Sequence, residues 1–90
     1  MKQRIFEIVY TPSFIRSFKK LPPQLQDEVE ATIQKLSDSK NHQALRVHKL
    51  SGKLKNFYSC SVNYHDRLVF EFDNPQLIVL LIVGNHDVYK

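Results

Sequence analysis

The sequence predicts an α+β fold in which a first strand is followed by a helical hairpin and then by four strands of a largely antiparallel sheet. Three observations support this. Apolar residues recur every three or four positions from residue 12 to about residue 37. After residue 45 they alternate with polar residues or form short continuous runs. Gly, Pro, Asn and Asp separate these runs as turns do. Ninety residues, 42% of them hydrophobic, predict one domain over 1–90.

The first half of the chain predicts one strand and two helices. Residues 4–10 are rich in β-branched and aromatic side chains, which favour a strand. Thr11 and Pro12 have the residue types of a helix N-cap and of a first helical position. An apolar stripe then follows at Phe14, Phe18 and Leu21. The prolines at 22–23 end this helix and begin a second one, which runs to about residue 37 or 39.

The second half predicts four strands. They cover residues 45–50, 56–63, 67–72 and 77–83. In the first of these strands Arg46 and His48 alternate with apolar residues and point outward. The last is apolar without alternation, which is typical of a central strand buried on both faces. Residues 85–90 form a short polar tail.

Composition excludes several classes of protein. The one cysteine, Cys60, permits no internal disulfide and no zinc cluster. The longest apolar run, residues 77–83, is far shorter than the ~20 residues that span a bilayer. The first ten residues lack the apolar centre of a signal peptide. We therefore expect a small cytoplasmic domain without a membrane role, in which Cys60 packs as a small hydrophobe and His42 is inert in a polar loop.

The formal net charge of +4 is concentrated in one segment. Residues 39–65 contain no acidic residue and five basic ones, Lys40, Arg46, Lys49, Lys53 and Lys55. Such a field attracts polyanions, because phosphates that are neutralised release their condensed counterions. The alternative is a solvated, lysine-rich loop.

Four segments carry a resemblance to a known family. They are HKLSGKLK at 48–55, YSCSV at 58–62, DRLVF at 66–70 and VGNHDVY at 83–89. Together they resemble the RelE/ParE superfamily of toxins from bacterial type II toxin–antitoxin systems, and most closely its RelE and YafQ mRNA interferase branches. The resemblance implies a RelE-like fold and a ribonuclease that needs no metal and no cofactor. It also implies a cognate antitoxin, the ribosome and mRNA as partners.

The implied reaction cleaves mRNA in the ribosomal A site with the RNA's own 2′-OH as nucleophile. It leaves a 2′,3′-cyclic phosphate and a 5′-OH, and needs a base, an acid and cations around the phosphorane. His86, in the matched G-x-H pattern, is the candidate for proton transfer, more as general acid than as base. The alternative is an exposed tail histidine. Arg67 is the candidate for holding the scissile phosphate. Its alternative is an ion pair with Asp66 or Glu71.

His48 and Lys49 are two further catalytic candidates. As neighbours on a strand they point to opposite faces, so only one of them faces the site unless a bulge intervenes. YafQ-type members have a histidine at about this point, whereas RelE-type members use the lysine. Both residues stay candidates at this stage.

Six residues are candidates for RNA binding: Lys53, Lys55, Arg46, Tyr64, His65 and Tyr89. The lysines suit a nucleic-acid backbone. Tyr89 suits base stacking, worth ~1–3 kcal/mol per base, or hydrophobic docking of the tail.

The chain also departs from its relatives. Asn63 and Tyr64 stand where YafQ-type enzymes carry extra histidine and acidic residues, and Ser51 and His86 stand where RelE-type enzymes place arginine. The chemistry would therefore rely on histidine more than on arginine. A ParE-like toxin that inhibits DNA gyrase without cleaving RNA is the main alternative, and a degraded toxin kept as a regulator is a third.

Overall fold

A computed structural model describes residues 4–52 and 56–85. Its elements are β1 (Glu7–Tyr10), α1 (Pro12–Lys19), α2 (Pro23–Leu36), a 3-10 turn (Ser39–Asn41), β2 (His48–Lys49), β3 (Tyr58–Ser61), β4 (Asp66–Phe72) and β5 (Leu77–Asn85). The predicted α+β class and the predicted order of strand, two helices and four strands are confirmed. None of the described helices is long or apolar enough to cross a membrane.

The strands form one five-stranded sheet in the order β1-β5-β4-β3-β2. Neighbouring strands in the sheet are antiparallel, except that β1 and β5 are parallel. These two pair from Glu7 opposite Leu77 to Tyr10 opposite Leu80. The first strand thus adds an edge to the predicted four-stranded sheet. β1 begins at Glu7 rather than at residue 4, because Phe6 donates its N–H to the carbonyl of Ser37 and Ile5 bridges to Asp38.

The predicted start of α1 is confirmed. Thr11 is its N-cap and accepts a hydrogen bond from the N–H of Phe14 at 3.1 Å, with Pro12 in the first turn. At the other end, the side-chain amide of Gln26 donates to the carbonyls of Phe18 and Leu21, both at 3.1 Å. Backbone groups at the ends of the first helix, which have no partner within the helix, are thus bonded by the cap and by a side chain of the second helix.

Both helices contribute to the core on one face of the sheet. Its buried side chains are Phe6, Phe14, Val29, Ile33, Leu36, Cys60, Leu68, Phe70, Ile78, Leu80 and Val83. The prediction that the last strand is buried on both faces is wrong. Ile78 and Leu80 are buried but Val79 between them is only half-buried. A register shift opposite Val69 and Phe70 then moves the next buried position to Val83 and hides the alternation in the sequence.

Candidate active site

A basic cleft lies where the loop before β2 meets the turn between β3 and β4. It has a volume of about 280 Å³ and is lined by Arg46, Ser61, Asn63, Tyr64 and Arg67. Two guanidinium groups and no carboxylate line it, which favours an anionic ligand. A larger groove of about 550 Å³ lies against the two helices, but no predicted site residue lines it.

Arg67 is anchored by backbone carbonyls rather than by a carboxylate. Its Nη1 donates to the carbonyls of Asn63 at 2.9 Å, Asp66 at 3.1 Å and Tyr64 at 3.3 Å. Within the described residues neither Asp66 nor Glu71 forms an ion pair with it. Those residues also offer no partner to Nε and Nη2, so this edge of the guanidinium is available for a phosphate.

Asn63 organises the turn that holds Arg67. Its Oδ1 accepts from the N–H groups of His65 and Asp66, both at 2.8 Å. Its Nδ2 donates to the carboxylate of Glu28 on α2 at 3.2 Å. The sequence marked Asn63 only as a departure from YafQ-type enzymes. The signal for its role was the capacity of asparagine to bond its own backbone two residues on.

Arg46 ends a helical turn in a left-handed conformation, with φ of +60°. The N–H of Val47 donates to the carbonyl of His42 at 3.0 Å, and that of Arg46 to Gln43 at 3.1 Å. These two bonds define a Schellman motif, whose left-handed position usually belongs to glycine. The predicted strand over 45–50 is therefore wrong for its first part, and β2 covers only His48 and Lys49.

The register of β2 places His48 and Lys49 on opposite faces of the sheet. His48 lies opposite Ser59, which shares its face with Ser61, and Ser61 lies opposite Arg67. Lys49 lies opposite Tyr58, whose ring stacks on buried Phe70. His48 is therefore on the face of Arg67, and Lys49 is on the other.

A hydrogen bond fixes the tautomer of His48. Its Nδ1 lies 2.9 Å from the carbonyl oxygen of Arg46. A carbonyl oxygen only accepts, so Nδ1 must carry the proton. In the neutral ring the lone pair is then on Nε2, which is left to act as a base.

Tyr64 and His65 differ in their relation to the cleft. Tyr64 lines it and is 87% exposed, so its ring offers a stacking surface for a base. His65 packs edge-on against that ring at 5.4 Å and is absent from the lining. Both residues lie in the turn between β3 and β4.

Four predicted residues, Lys53, Lys55, His86 and Tyr89, lie outside the described residues. β5 itself passes the cleft, because Gly84 lies opposite Arg67 and Asn85 opposite Asp66. Asn85 was predicted to belong to the tail, but it is the last residue of the strand.

Cys60 and His42, which were not candidates for catalysis or RNA binding, have structural roles. Cys60 is fully buried, as predicted, and burial raises the pKa of its thiol from 9.0 to about 12, although nearby Arg67 opposes this. His42 lies in a loop, as predicted, and makes contacts that the sequence does not predict. Its Nε2 lies 2.7 Å from the carbonyl of Leu36 at the end of α2, and its ring stacks on Phe6 at 5.5 Å.

The fold, a helical hairpin on a five-stranded sheet, is that of the RelE-like toxins. YafQ from E. coli strain BL21(DE3) superposes with a TM-score of 0.73 at 14% identity, covering 93% of this chain and 97% of that one. The toxin–antitoxin complex RelBE2 from Mycobacterium tuberculosis gives 0.67 at 21%, covering 91% and 99%. The E. coli DinJ-YafQ complex gives 0.70 at 16%, covering 92% and 94%.

At these identities the superpositions establish the fold. The family follows from the sequence, since residues 9–86 match the HigB-like toxins, described as the RelE-like toxin of the type II toxin–antitoxin system HigB. This chain belongs to that family. No curated protein matches it significantly in sequence. The resemblance to the RelE/ParE superfamily is thereby confirmed.

Proposed function

We propose that this toxin is a ribosome-dependent endoribonuclease that cleaves mRNA by attack of the RNA's own 2′-OH. The observation that carries the proposal is the cleft itself. Two guanidinium groups, from Arg46 and Arg67, line a space of about 280 Å³, and His48 lies on the same face of the sheet. Cations for the phosphorane and a histidine base are thus within one surface.

The reaction proceeds by one displacement at phosphorus. His48 Nε2 takes the proton of the 2′-OH as the 2′-oxygen bonds to phosphorus. The bond from phosphorus to the 5′-oxygen breaks, and that oxygen takes a proton from His86. Arg67 and Arg46 stabilise the charge on the non-bridging oxygens. An imidazole can either take or give a proton, so one histidine can act as base and another as acid.

The size of the cleft bears on the substrate. The cleft measures only about 280 Å³, and we infer that it does not position a free RNA by itself. The ribosome, which already holds mRNA in its A site, supplies that positioning. A cognate antitoxin is the second partner, in line with the antitoxin complexes among the structural relatives.

The test is induction of the chain in a bacterial host, with primer extension across translated mRNAs. We expect cleavage in phase with codons that falls at least ~100-fold in Arg67→Ala and in His86→Ala, the range that one acid–base or charge-stabilising group contributes. Arg16→Ala is the matched control, because Arg16 is an exposed arginine on α1 that lines no part of the cleft. It should cleave like the wild type.

Two outcomes would overturn the proposal. Growth arrest with intact mRNA and trapped gyrase–DNA complexes would establish the ParE-like alternative. Absence of arrest by the wild-type chain would indicate a degraded toxin. Purified ribosomes add a chemical control, since an mRNA with 2′-deoxyribose at the cleaved nucleotide should remain intact.

A further inference from the structure

Arg46 occupies a backbone position that glycine would fill without strain. Its φ of +60° brings Cβ close to the following carbonyl. Glycine has no Cβ and usually occupies such a position, and asparagine does so less often. Its side chain lines the cleft. A side chain alone does not require this backbone, since an arginine in extended conformation can also reach a phosphate. The guanidinium therefore does not explain the left-handed backbone at residue 46.

The two peptide groups that flank Cα of Arg46 are each held by a hydrogen bond. The N–H of Val47 is bonded to the carbonyl of His42 at 3.0 Å, and the carbonyl of Leu45 accepts from the N–H of Ser61 on β3 at 2.8 Å. Between these fixed points the carbonyl of Arg46 can turn little. It lies 2.9 Å from Nδ1 of His48.

We propose that Arg46 is a positioning residue for His48, acting through its backbone carbonyl. The left-handed turn directs this carbonyl at Nδ1, which keeps the proton there and leaves Nε2 as the base. The role of the base rests on the proposed function, whereas the tautomer is a property of the protein alone. Residue 46 thus has two separable parts, a guanidinium for the phosphate and a carbonyl for the imidazole.

Substitutions at residue 46 separate the two parts. Arg46→Gly removes the guanidinium but keeps the left-handed backbone, and Arg46→Asn resembles it. Arg46→Val removes the guanidinium and also opposes the left-handed backbone, because Val is β-branched. Arg46→Ala opposes it more mildly and serves where the Val variant does not fold.

The first measurement is the 15N spectrum of the His48 imidazole in the folded chain without RNA. It is recorded at a pH high enough for the ring to be neutral. We expect the Nδ1–H form in the wild type, in Arg46→Gly and in Arg46→Asn. In Arg46→Val and Arg46→Ala the Nε2–H form should increase. A wild-type His48 in the Nε2–H form would overturn the inference, whatever the chain does to RNA.

The second measurement is cleavage of mRNA on ribosomes, separated into kcat and KM. Arg46→Gly should raise KM and also lower kcat, because it removes one of the two guanidinium groups at the phosphate. Arg46→Val should raise KM equally and lower kcat about tenfold further. In a His48→Ala background the kcat difference between Gly and Val should vanish, because the carbonyl then has no imidazole to hold.

The outcomes separate the inference from the proposed function. A kcat difference that persists without His48 would overturn the positioning role, since a general effect on folding does not depend on the imidazole. Equal kcat values for folded Gly and Val variants would overturn it too. No cleavage by the wild type, together with the Nδ1–H form, would overturn the proposed function and with it the base role.

Discussion

Arg46 is the residue at which stability and function are expected to conflict. A left-handed conformation costs a non-glycine residue about 1–2 kcal/mol, whereas glycine loses about 0.5–1 kcal/mol more backbone entropy on folding. Arg46→Gly should therefore raise the free energy of unfolding by about 0.5–1 kcal/mol while it weakens RNA cleavage. Urea unfolding followed by circular dichroism measures this.

Lys49→Gly is the control for that gain, because Lys49 lies in strand β2 where glycine is disfavoured. It should lower the free energy of unfolding. A lower stability for Arg46→Gly would show that the side chain contributes more packing than its left-handed backbone costs.

Because of Cys60, the free energy of unfolding should fall at alkaline pH. Burial raises the pKa of its thiol from 9.0 to about 12, so the folded state disfavours the thiolate. Below pH 9 the thiol is protonated in both the folded and the unfolded state, so it does not change the free energy of unfolding. Above pH 9 the unfolded chain releases the proton first, and the free energy of unfolding should fall by up to about 1.4 kcal/mol per pH unit.

Urea titrations between pH 8 and 10.5 measure this slope. Cys60→Ala is the control, because it keeps the lysines and tyrosines that also titrate and removes only the thiol. An identical slope in both chains would contradict the expectation. At pH 7.5 the native thiol should also resist iodoacetamide and react after unfolding, since the thiolate is the nucleophile.

Single residues also show how far the sequence predicts the site. Strand alternation already required His48 and Lys49 to face apart, but nothing in the sequence shows which of them shares a face with Arg67. That choice depends on the register between β2 and β3. The left-handed turn at Arg46 had no signal at all, because the glycine that marks such a turn is absent. The stacking of His42 on Phe6 was not predicted, because the two residues are distant in sequence.

At the level of elements, α1 protects an edge that β1 leaves open. β1 pairs with β5 only as far as Leu80. Beyond it, Ser13 donates to the carbonyl of Leu81 at 2.8 Å, and Ser17 accepts from the N–H of Val83 at 3.1 Å. Two helix hydroxyls thus replace a strand, and they satisfy backbone groups that an open edge would expose.

Ser17→Ala should lower the free energy of unfolding by about 1–3 kcal/mol, because it leaves the N–H of buried Val83 without a partner. Thermal unfolding measures the loss, and amide hydrogen exchange at Val83 should quicken. Ser37→Ala is the matched control, since that hydroxyl bonds only to the carbonyl of Gln34 in its own helix. Equal losses in the two variants would contradict a specific bond between helix and strand.

Element order and class were readable from the sequence because period and turn residues are local signals. The length of β2 and the pairing of β1 were not, since both depend on tertiary contacts. The unbroken apolar run of β5 was misread for a related reason. A register shift between Ile82 and Leu80 changes which side chains face the core, and no residue in this part of the sequence indicates such a shift.

Across the molecule, the fold divides the basic segment 39–65 among several surfaces. Lys40 pairs with Asp38 at 3.9 Å, and Lys49 lies on the face opposite His48. Arg46 alone among the segment's described basic residues lines the cleft, where Arg67 from outside the segment joins it. Within the described part of the chain, the cleft is therefore lined by a pair of guanidinium groups from two different segments.

This division predicts which charges set the salt dependence of RNA binding. Each cation that neutralises a phosphate of single-stranded nucleic acid contributes about −0.7 to the slope of log K against log salt concentration. Arg46→Ala and Arg67→Ala should each flatten that slope by about 0.7, and the double variant by about 1.4. Fluorescence anisotropy with a labelled, uncleavable 2′-deoxy oligonucleotide between 50 and 300 mM KCl measures it.

Lys40→Ala serves as the control, since its ammonium is paired with Asp38 and lines no part of the cleft. It should leave the slope unchanged although it removes the same charge. An equal flattening in all three variants would mean that RNA senses the net charge of the segment rather than the cleft. The geometry favours the opposite result, because screening limits each exposed charge to its own surroundings, over a Debye length of ~8–10 Å at about 0.10–0.15 M salt.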